Sequence, residues 1–221
     1  MFFNPGDNVA TIVVENGVCP LCGGNVDTQA GVCDNCGKLE YNIITIGSTA
    51  DAEMMETLRK AARGDADAQM EVGWNYESWD QFPFNQKLAH YWYKKAAEGG
   101  NANAQQNLAV QYLTGRGGVE QNYEKAFYWT QKAAMQGWDK AQANLGYFYL
   151  EGVCVEEDNE TAVYWLTKAA EQGHKQAQFN LAQCYINGWG VDEDEEEAIY
   201  WLRKSAAQGF PNAMELLEQI G

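Results

Sequence analysis

The sequence predicts an all-α repeat protein: a solenoid of helix-turn-helix units over residues 48–221, preceded by a small β module over residues 1–47 organised around four cysteines. Three observations predict this. Laid against itself at an offset of 36 or 37 residues, the longer part brings whole segments into register, the mark of a repeat architecture. Inside each segment, apolar and small residues recur at helical spacing. The leading part instead holds four of the chain's six cysteines, in two C-x-x-C pairs flanked by β-branched runs.

Those cysteines are Cys19, Cys22, Cys33 and Cys36, at the spacing C-x2-C-x10-C-x2-C, with Gly23, Gly24 and Gly37 closing the pairs so that the backbone can turn tightly. The spacing suits a tetrahedral four-thiolate zinc site. A thioredoxin-like site needs one C-x-x-C between a strand and a helix of a larger domain, and a disulfide framework needs an oxidising compartment. The flanks "NVATIVVE" and "YNIITI" are β-branched runs able to pair as short strands. "CPLCGG" and "CDNCGK" then resemble the two knuckles of a zinc ribbon. Four thiolates close the coordination shell, whereas catalytic zinc keeps a position open, so the zinc is expected to be structural. A module this small buries little apolar surface, and metal binding would supply folding free energy on the order of 10 kcal/mol. Residues 1–46 carry one basic side chain, Lys38, against five acids, which argues against a nucleic-acid-associated zinc ribbon.

The repeats follow. A capping half-unit (52–67, "ETLRKAARGDAD") has a second-helix pattern; four full units are expected at 68–103, 104–140, 141–176 and 177–212; residues 213–221 restart a first helix as a C-terminal cap. First helices read "AQMEVGWNYE", "AQQNLAVQYL", "AQANLGYFYL" and "AQFNLAQCYI". In the third, Ala141, Leu145, Gly146 and Tyr149 share one face, matched by Ala104, Leu108, Ala109 and Tyr112 and by Ala177, Leu181, Ala182 and Tyr185, so this face is core. Small residues there let backbones approach. Second helices start at Asn85, Asn122, Asp158 and Asp194, residue types that cap N-termini. They end near Lys95, Lys132, Lys168 and Lys204, before Gly100, Gly137, Gly173 and Gly209. Trp92, Trp129, Trp165 and Trp201 recur in register, as a wedge between helices would.

These patterns, "A-x-x-x-L-G-x-x-Y" followed by "A-x-x-W-x-x-K-A-A-x-x-G", resemble the Sel-one-like repeat family, a relative of the tetratricopeptide repeat, over roughly residues 52–221. In the third unit they are Ala141, Leu145, Gly146 and Tyr149, then Ala162, Trp165, Lys168, Ala169, Ala170 and Gly173. Unit one departs from the pattern, with "SWDQFPFNQ" in place of the glycine-valine loop and Val72 in place of leucine. The resemblance implies a right-handed α-solenoid acting as a non-enzymatic scaffold or adaptor, with a protein or peptide as partner. It further implies a concave groove lined by first helices, into which a peptide or a partner helix would dock. Mapped onto these units, the groove takes Met70 and Trp74 from the first, Gln106, Val110 and Leu113 from the second, Ala143, Tyr147 and Leu150 from the third, and Phe179, Gln183 and Ile186 from the fourth.

A net charge of −16 disfavours nucleic acid and anionic membranes as partners. No apolar run nears the roughly 18 residues of a membrane helix. The start "MFFNPGDNVATIVVENG" lacks a basic n-region and a signal-peptide core, so a cytoplasmic monomer is expected. The acidic runs "EEDNE" (156–160) and "DEDEEE" (192–197) fall where second helices begin, as the helix dipole favours. Neither His90 nor His174 has a recurring acidic or nucleophilic neighbour, so no catalytic residue is assigned. Cysteine-rich secreted relatives linked to β-lactam hydrolysis carry a cysteine pair in each repeat; this chain has Cys154 and Cys184 across all four, expected as free thiols, and no S-x-x-K motif.

Overall fold

Helices alternate with short glycine-bearing connections along the longer part of the chain, in a computed structural model that describes residues 11–13, 26–27, 32–33, 37–38, 42–44, 56–57, 60–61, 63–78 and 86–220. The chain divides into two units, residues 1–104 and 105–221.

In the first unit, β1 (Thr11–Val13) pairs in parallel with β5 (Asn42–Ile44), so the two β-branched flanks do meet, with Ile12 opposite Ile43. Between them β2 (Val26–Asp27), β3 (Val32–Cys33) and β4 (Gly37–Lys38) form an antiparallel ladder in which Cys33 pairs with Gly37. Cys19, Cys22 and Cys36 lie outside the described residues, as does the side chain of Cys33. Helical residues at 56–57 and 60–61 fall in the expected capping half-unit. Next come α1 (Ala66–Ser78) and α2 (Gln86–Glu98), which pack through Val72, Tyr76, Leu88, Trp92 and Tyr93, all nearly inaccessible. Gly73 is required at this crossing, because a Cβ there would sit 2.7 Å from the Tyr93 ring. Val72 fills the leucine position completely buried, but Asn85 lies outside the described residues.

The remaining helices are α3 (Ala102–Thr114), which begins at the end of the first unit, α4 (Tyr123–Met135), α5 (Asp139–Leu150), α6 (Asn159–Glu171), α7 (Lys175–Asn187), α8 (Glu195–Ala207) and α9 (Pro211–Ile220). From α4 onward each helix packs on the next, and first helix α5 also touches first helix α7. Leu145, Phe148, Ala133 and Ala134 centre one core cluster; Leu166, Leu181, Leu202, Ala177 and Trp201 centre the next. Each fully buried leucine contributes about 1.5–3 kcal/mol of apolar burial. At Gly146 an added Cβ would fall 2.7 Å from Leu166 Cγ, so the first and second helices of this unit approach too closely for any side chain.

The helix ends are set chemically. Asn122, Asp158 and Asp194 hold extended backbone and accept hydrogen bonds from the N–H groups of Lys125 (2.8 Å), Thr161 (3.0 Å) and Glu197 (3.0 Å). Each such cap is worth about 1 kcal/mol. The turns after α4, α6 and α8 pass through Gly137, Gly173 and Gly209 at positive φ, where side chains are disfavoured. Cys154 takes the same left-handed conformation (φ 69°) in the α5–α6 loop, where the α7–α8 loop has Gly190.

The tryptophan wedge holds in part. Trp92 and Trp201 are buried, while Trp129 and Trp165 are half-buried. The tyrosine preceding each tryptophan contacts its ring edge-on at 4.9–5.3 Å between centroids.

A glutamine ladder fixes the spacing of units. Gln142 and Gln178, buried near the starts of α5 and α7, donate from Nε2 to the carbonyls of Ala134 (3.2 Å) and Ala170 (3.0 Å), at the end of the preceding second helix. Their Oε1 atoms accept from Gln172 (2.7 Å) and Gln208 (2.8 Å), which also donate to the carbonyls of Gly137 and Gly173. Gln136 likewise donates to Gln105 (2.8 Å). In the first unit Gln69 reaches the Ala61 carbonyl (2.9 Å), but Gly99 occupies the partner position, so the rung is not completed.

Candidate functional site

The expected groove residues separate into three environments. Trp74 in the first unit is 51% exposed, and in the second unit Tyr147 and Ile186 are 45% and 39% exposed. Met70, Val110, Leu113, Leu150 and Gln183 are half-buried. Gln106, Ala143 and Phe179 are buried, which corrects their expected place on an open groove. For Ala143 and Phe179 the reason is that the residue after the Ala-Gln pair turns toward the next helix layer. Ala143 belongs to the core cluster of the following unit, and the Phe179 ring packs 5.3 Å from that of Phe210. The Gln106 side-chain oxygen, Oε1, is buried with no hydrogen-bond partner among the described residues.

Beside Val110, Tyr147 and Gln183, one turn nearer the N-terminus, stand Asn107, Asn144 and Asn180, the fourth residues of the "AQ-x-N-L" segments. Asn107 and Asn144 are half-buried; Asn180 is buried and accepts from Gln176 Nε2 (3.0 Å). The rims of this face differ in charge. Lys140 and Lys175 are exposed at the starts of α5 and α7, whereas Glu151, Glu156, Glu157, Asp192 and Glu193 are exposed at or beyond the ends of the same helices.

Sequence reasoning left out a second exposed aromatic series. Tyr128, Tyr164 and Tyr200 on the second helices are about half exposed, each with the lysine four residues on over its ring: Lys132 at 5.2 Å, Lys168 at 4.9 Å and Lys204 at 4.5 Å. The recurring Y-W-x-x-K spacing carries that signal. Trp189, 41% exposed in the α7–α8 loop, also went unassigned.

The titratable groups have structural surroundings. His174 is the N-cap of α7: its Nδ1 accepts the Ala177 N–H at 3.2 Å, and burial lowers its pKa despite the opposing field of Asp139. The Asp158 carboxylate is held below its usual range by its bonds from the Thr161 hydroxyl and N–H. Cys154 and Cys184 are free thiols; burial raises both, Cys184 to about 11. Among the described residues there is no cluster of three or more side chains able to hold a metal ion, and no helix long and apolar enough to cross a membrane.

Units of two helices, repeated with the same caps, the same closing glycines and the same buried glutamine, define a helical-repeat solenoid protein of the tetratricopeptide-like class. The Sel1 repeat model matches residues 66–101, 102–138, 139–174 and 175–210, and the chain belongs to this family. Its units start two residues before the boundaries read from the sequence, 68, 104, 141 and 177. Among solved structures, the chain is similar to c5321, a protective antigen present in uropathogenic Escherichia coli strains displaying an SLR fold. The two share 36% identity at a TM-score of 0.70, over 74% of this chain and 35% of that one. It is also similar to a Sel1 repeat protein from Oxalobacter formigenes, with 34% identity and a TM-score of 0.69 over 77% of this chain and 70% of that one. The chain thus spans about a third of the length of the first of these relatives. A search of curated proteins gives no match. Proteins of the family are generally interaction scaffolds.

Proposed function

We propose that this protein is a non-enzymatic scaffold or adaptor that holds a peptide or a partner helix on the exposed face of its first helices, and that its four N-terminal cysteines bind a structural zinc ion. The observation that carries the first part is the exposure of Tyr147 and Ile186 at the open face of successive first helices, with Val110 half-buried alongside. Exposed aromatic and apolar side chains on a rigid repeat are the anchors that protein interfaces use. The family's general role as protein-binding scaffolds supports the reading. His174, the one histidine in the second unit, has its Nδ1 committed to capping α7, which supports leaving catalysis out of the account.

The zinc reading rests on the four-cysteine spacing, and the pairing of Cys33 with Gly37 is in keeping with a tight turn at the second C-x-x-C. Two experiments test the proposal. Affinity purification from the native host with the intact chain and a Tyr147→Ala, Ile186→Ala control should yield a partner lost only from the control; a partner retained equally by both overturns the face assignment. Elemental analysis should find about one zinc per chain, lost on replacing Cys19 and Cys36 with serine. Metal-free protein with those cysteines in disulfides overturns the zinc reading.

A further inference from the structure

Three side chains recur at four-residue spacing on the second helices of residues 105–221: Glu124, Tyr128 and Lys132 on α4, Glu160, Tyr164 and Lys168 on α6, and Glu196, Tyr200 and Lys204 on α8. Residues four apart share a helix face, so each helix presents an acid, an aromatic ring and an amine in line. The tyrosines are 47–53% exposed and all three glutamates are exposed. In the first unit Lys87 stands where the acid would be, before Tyr91 and Lys95, so the acid is no requirement of the helix itself. Glutamate and lysine on one helix are about 12 Å apart along its axis, and each lysine lies over its tyrosine ring instead, at 5.2, 4.9 and 4.5 Å. None of the three glutamates joins an ion pair among the described residues.

A row of exposed rings flanked by opposite charges is self-complementary under one two-fold operation. Turned about an axis along the tyrosine row, a second copy sets each second helix antiparallel on its own counterpart. Tyrosine then meets tyrosine, and the glutamates of each copy meet the lysines of the other. An axis parallel to the helices would instead set glutamates on glutamates and lysines on lysines, which repel. We propose that the Glu-Tyr-Lys face of α4, α6 and α8 is an isologous docking surface for a second copy of this chain, in place of the monomer expected from the sequence. The proposal concerns the second helices and stands independently of the peptide assigned to the first helices; a dimer would carry that binding face twice and hold a repeated partner with avidity.

The face is set before a partner arrives. Each ring packs edge-on against the tryptophan that follows it, at 4.9–5.0 Å between centroids, and holds its lysine in place, so little side-chain freedom is left to lose on association. Beside Tyr200 an open hollow lined by Glu196, Ile199, Tyr200, Arg203, Lys204 and Ala207 gives facing rings room to stack offset. Three side chains from each of three helices fall short of the roughly 20–30 residues a side of a standard interface, so the dimer is weak, with a Kd on the order of 10–100 µM.

Sedimentation of the full chain from about 5 to 500 µM, in about 0.15 M salt, should show monomer giving way to dimer. Two charge-reversed variants test the face, Glu124→Lys with Glu160→Lys and Glu196→Lys in one, and Lys132→Glu with Lys168→Glu and Lys204→Glu in the other. Each alone should keep its helical spectrum and stay monomeric over the whole range. The first is less negative overall than the parent, so general repulsion does not account for its loss of the dimer. Mixed in equal amounts, the two should associate again, because the basic rows of one then meet the acidic rows of the other. A parent chain that stays monomeric at 500 µM overturns the second copy as occupant. A dimer that both variants keep, or monomeric variants that fail to associate when mixed, overturns the face.

Discussion

Replacing Gln172 with alanine should open one rung of the glutamine ladder. The change removes the donor that reaches Gln142 Oε1 at 2.7 Å and the Gly137 carbonyl at 3.0 Å. Each neutral bond is worth about 0.5–1.5 kcal/mol net, and an acceptor left buried and unpaired costs about 1–3 kcal/mol. Gln172 itself is exposed, so water can enter where its amide was and recover part of the penalty at Gln142. The expected loss is therefore about 1–2 kcal/mol, or on the order of 2–8 °C in Tm for a chain of this size. Urea and thermal unfolding of Gln172→Ala, Gln142→Ala and the double variant close a cycle whose coupling should reach about 1 kcal/mol. Additivity within about 0.3 kcal/mol would refute the reasoning, since two residues bonded only to each other's surroundings behave that way. Gln208→Ala should behave like Gln172→Ala, because its rung to Gln178 and Gly173 has the same geometry.

His174 must be neutral at Nδ1 to cap α7, and burial holds its pKa below the ordinary 6.5, with Asp139 raising it and Lys140 and Lys175 lowering it further. The stability it contributes is complete above pH 6.5 and is lost as pH falls through the depressed folded value; His174→Asn, which caps without titrating there, should flatten stability between about pH 7 and 5. Trp201→Ala should cost about 3–5 kcal/mol in denaturant unfolding, and Trp165→Ala distinctly less because its ring is only half-buried; equal losses would contradict the burial difference. Site-resolved alkylation of the native protein should label Cys154 before Cys184, whose thiol is inaccessible and raised to about 11, and equal rates would mean α7 opens readily.

The helix ends are legible in the sequence because capping is local. An asparagine or aspartate at positions 122, 158 and 194 acts on an N–H three residues away, and a glycine at 137, 173 and 209 needs no partner at all. The glutamine ladder is harder to read, since Gln142 meets Gln172 only after 30 residues of chain have turned back. The binding face is legible in part. Helical spacing puts position 147 outward, but it does not say that position 179 points at Phe210, because that depends on where the next first helix crosses. His174 as a cap is legible only in hindsight: histidine is an uncommon N-cap, whereas Asn101 does the same for α3 with an ordinary residue.

The ladder also has a mechanical meaning. Along one edge of residues 105–221, side-chain bonds run from unit to unit, joining Ala134, Gln142 and Gln172, then Ala170, Gln178 and Gln208. At the opposite edge the loops bond back within their own units, through Asn122 to Tyr112, Asp158 to Tyr149 and Asp194 to Tyr185. That edge is held between units as well, because the main chain at Gly190 in the α7–α8 loop lies so close to the Asn159 carbonyl at the start of α6 that any side chain there would collide with it. A load along the stack is therefore shared by side-chain bonds at one edge and main-chain packing at the other.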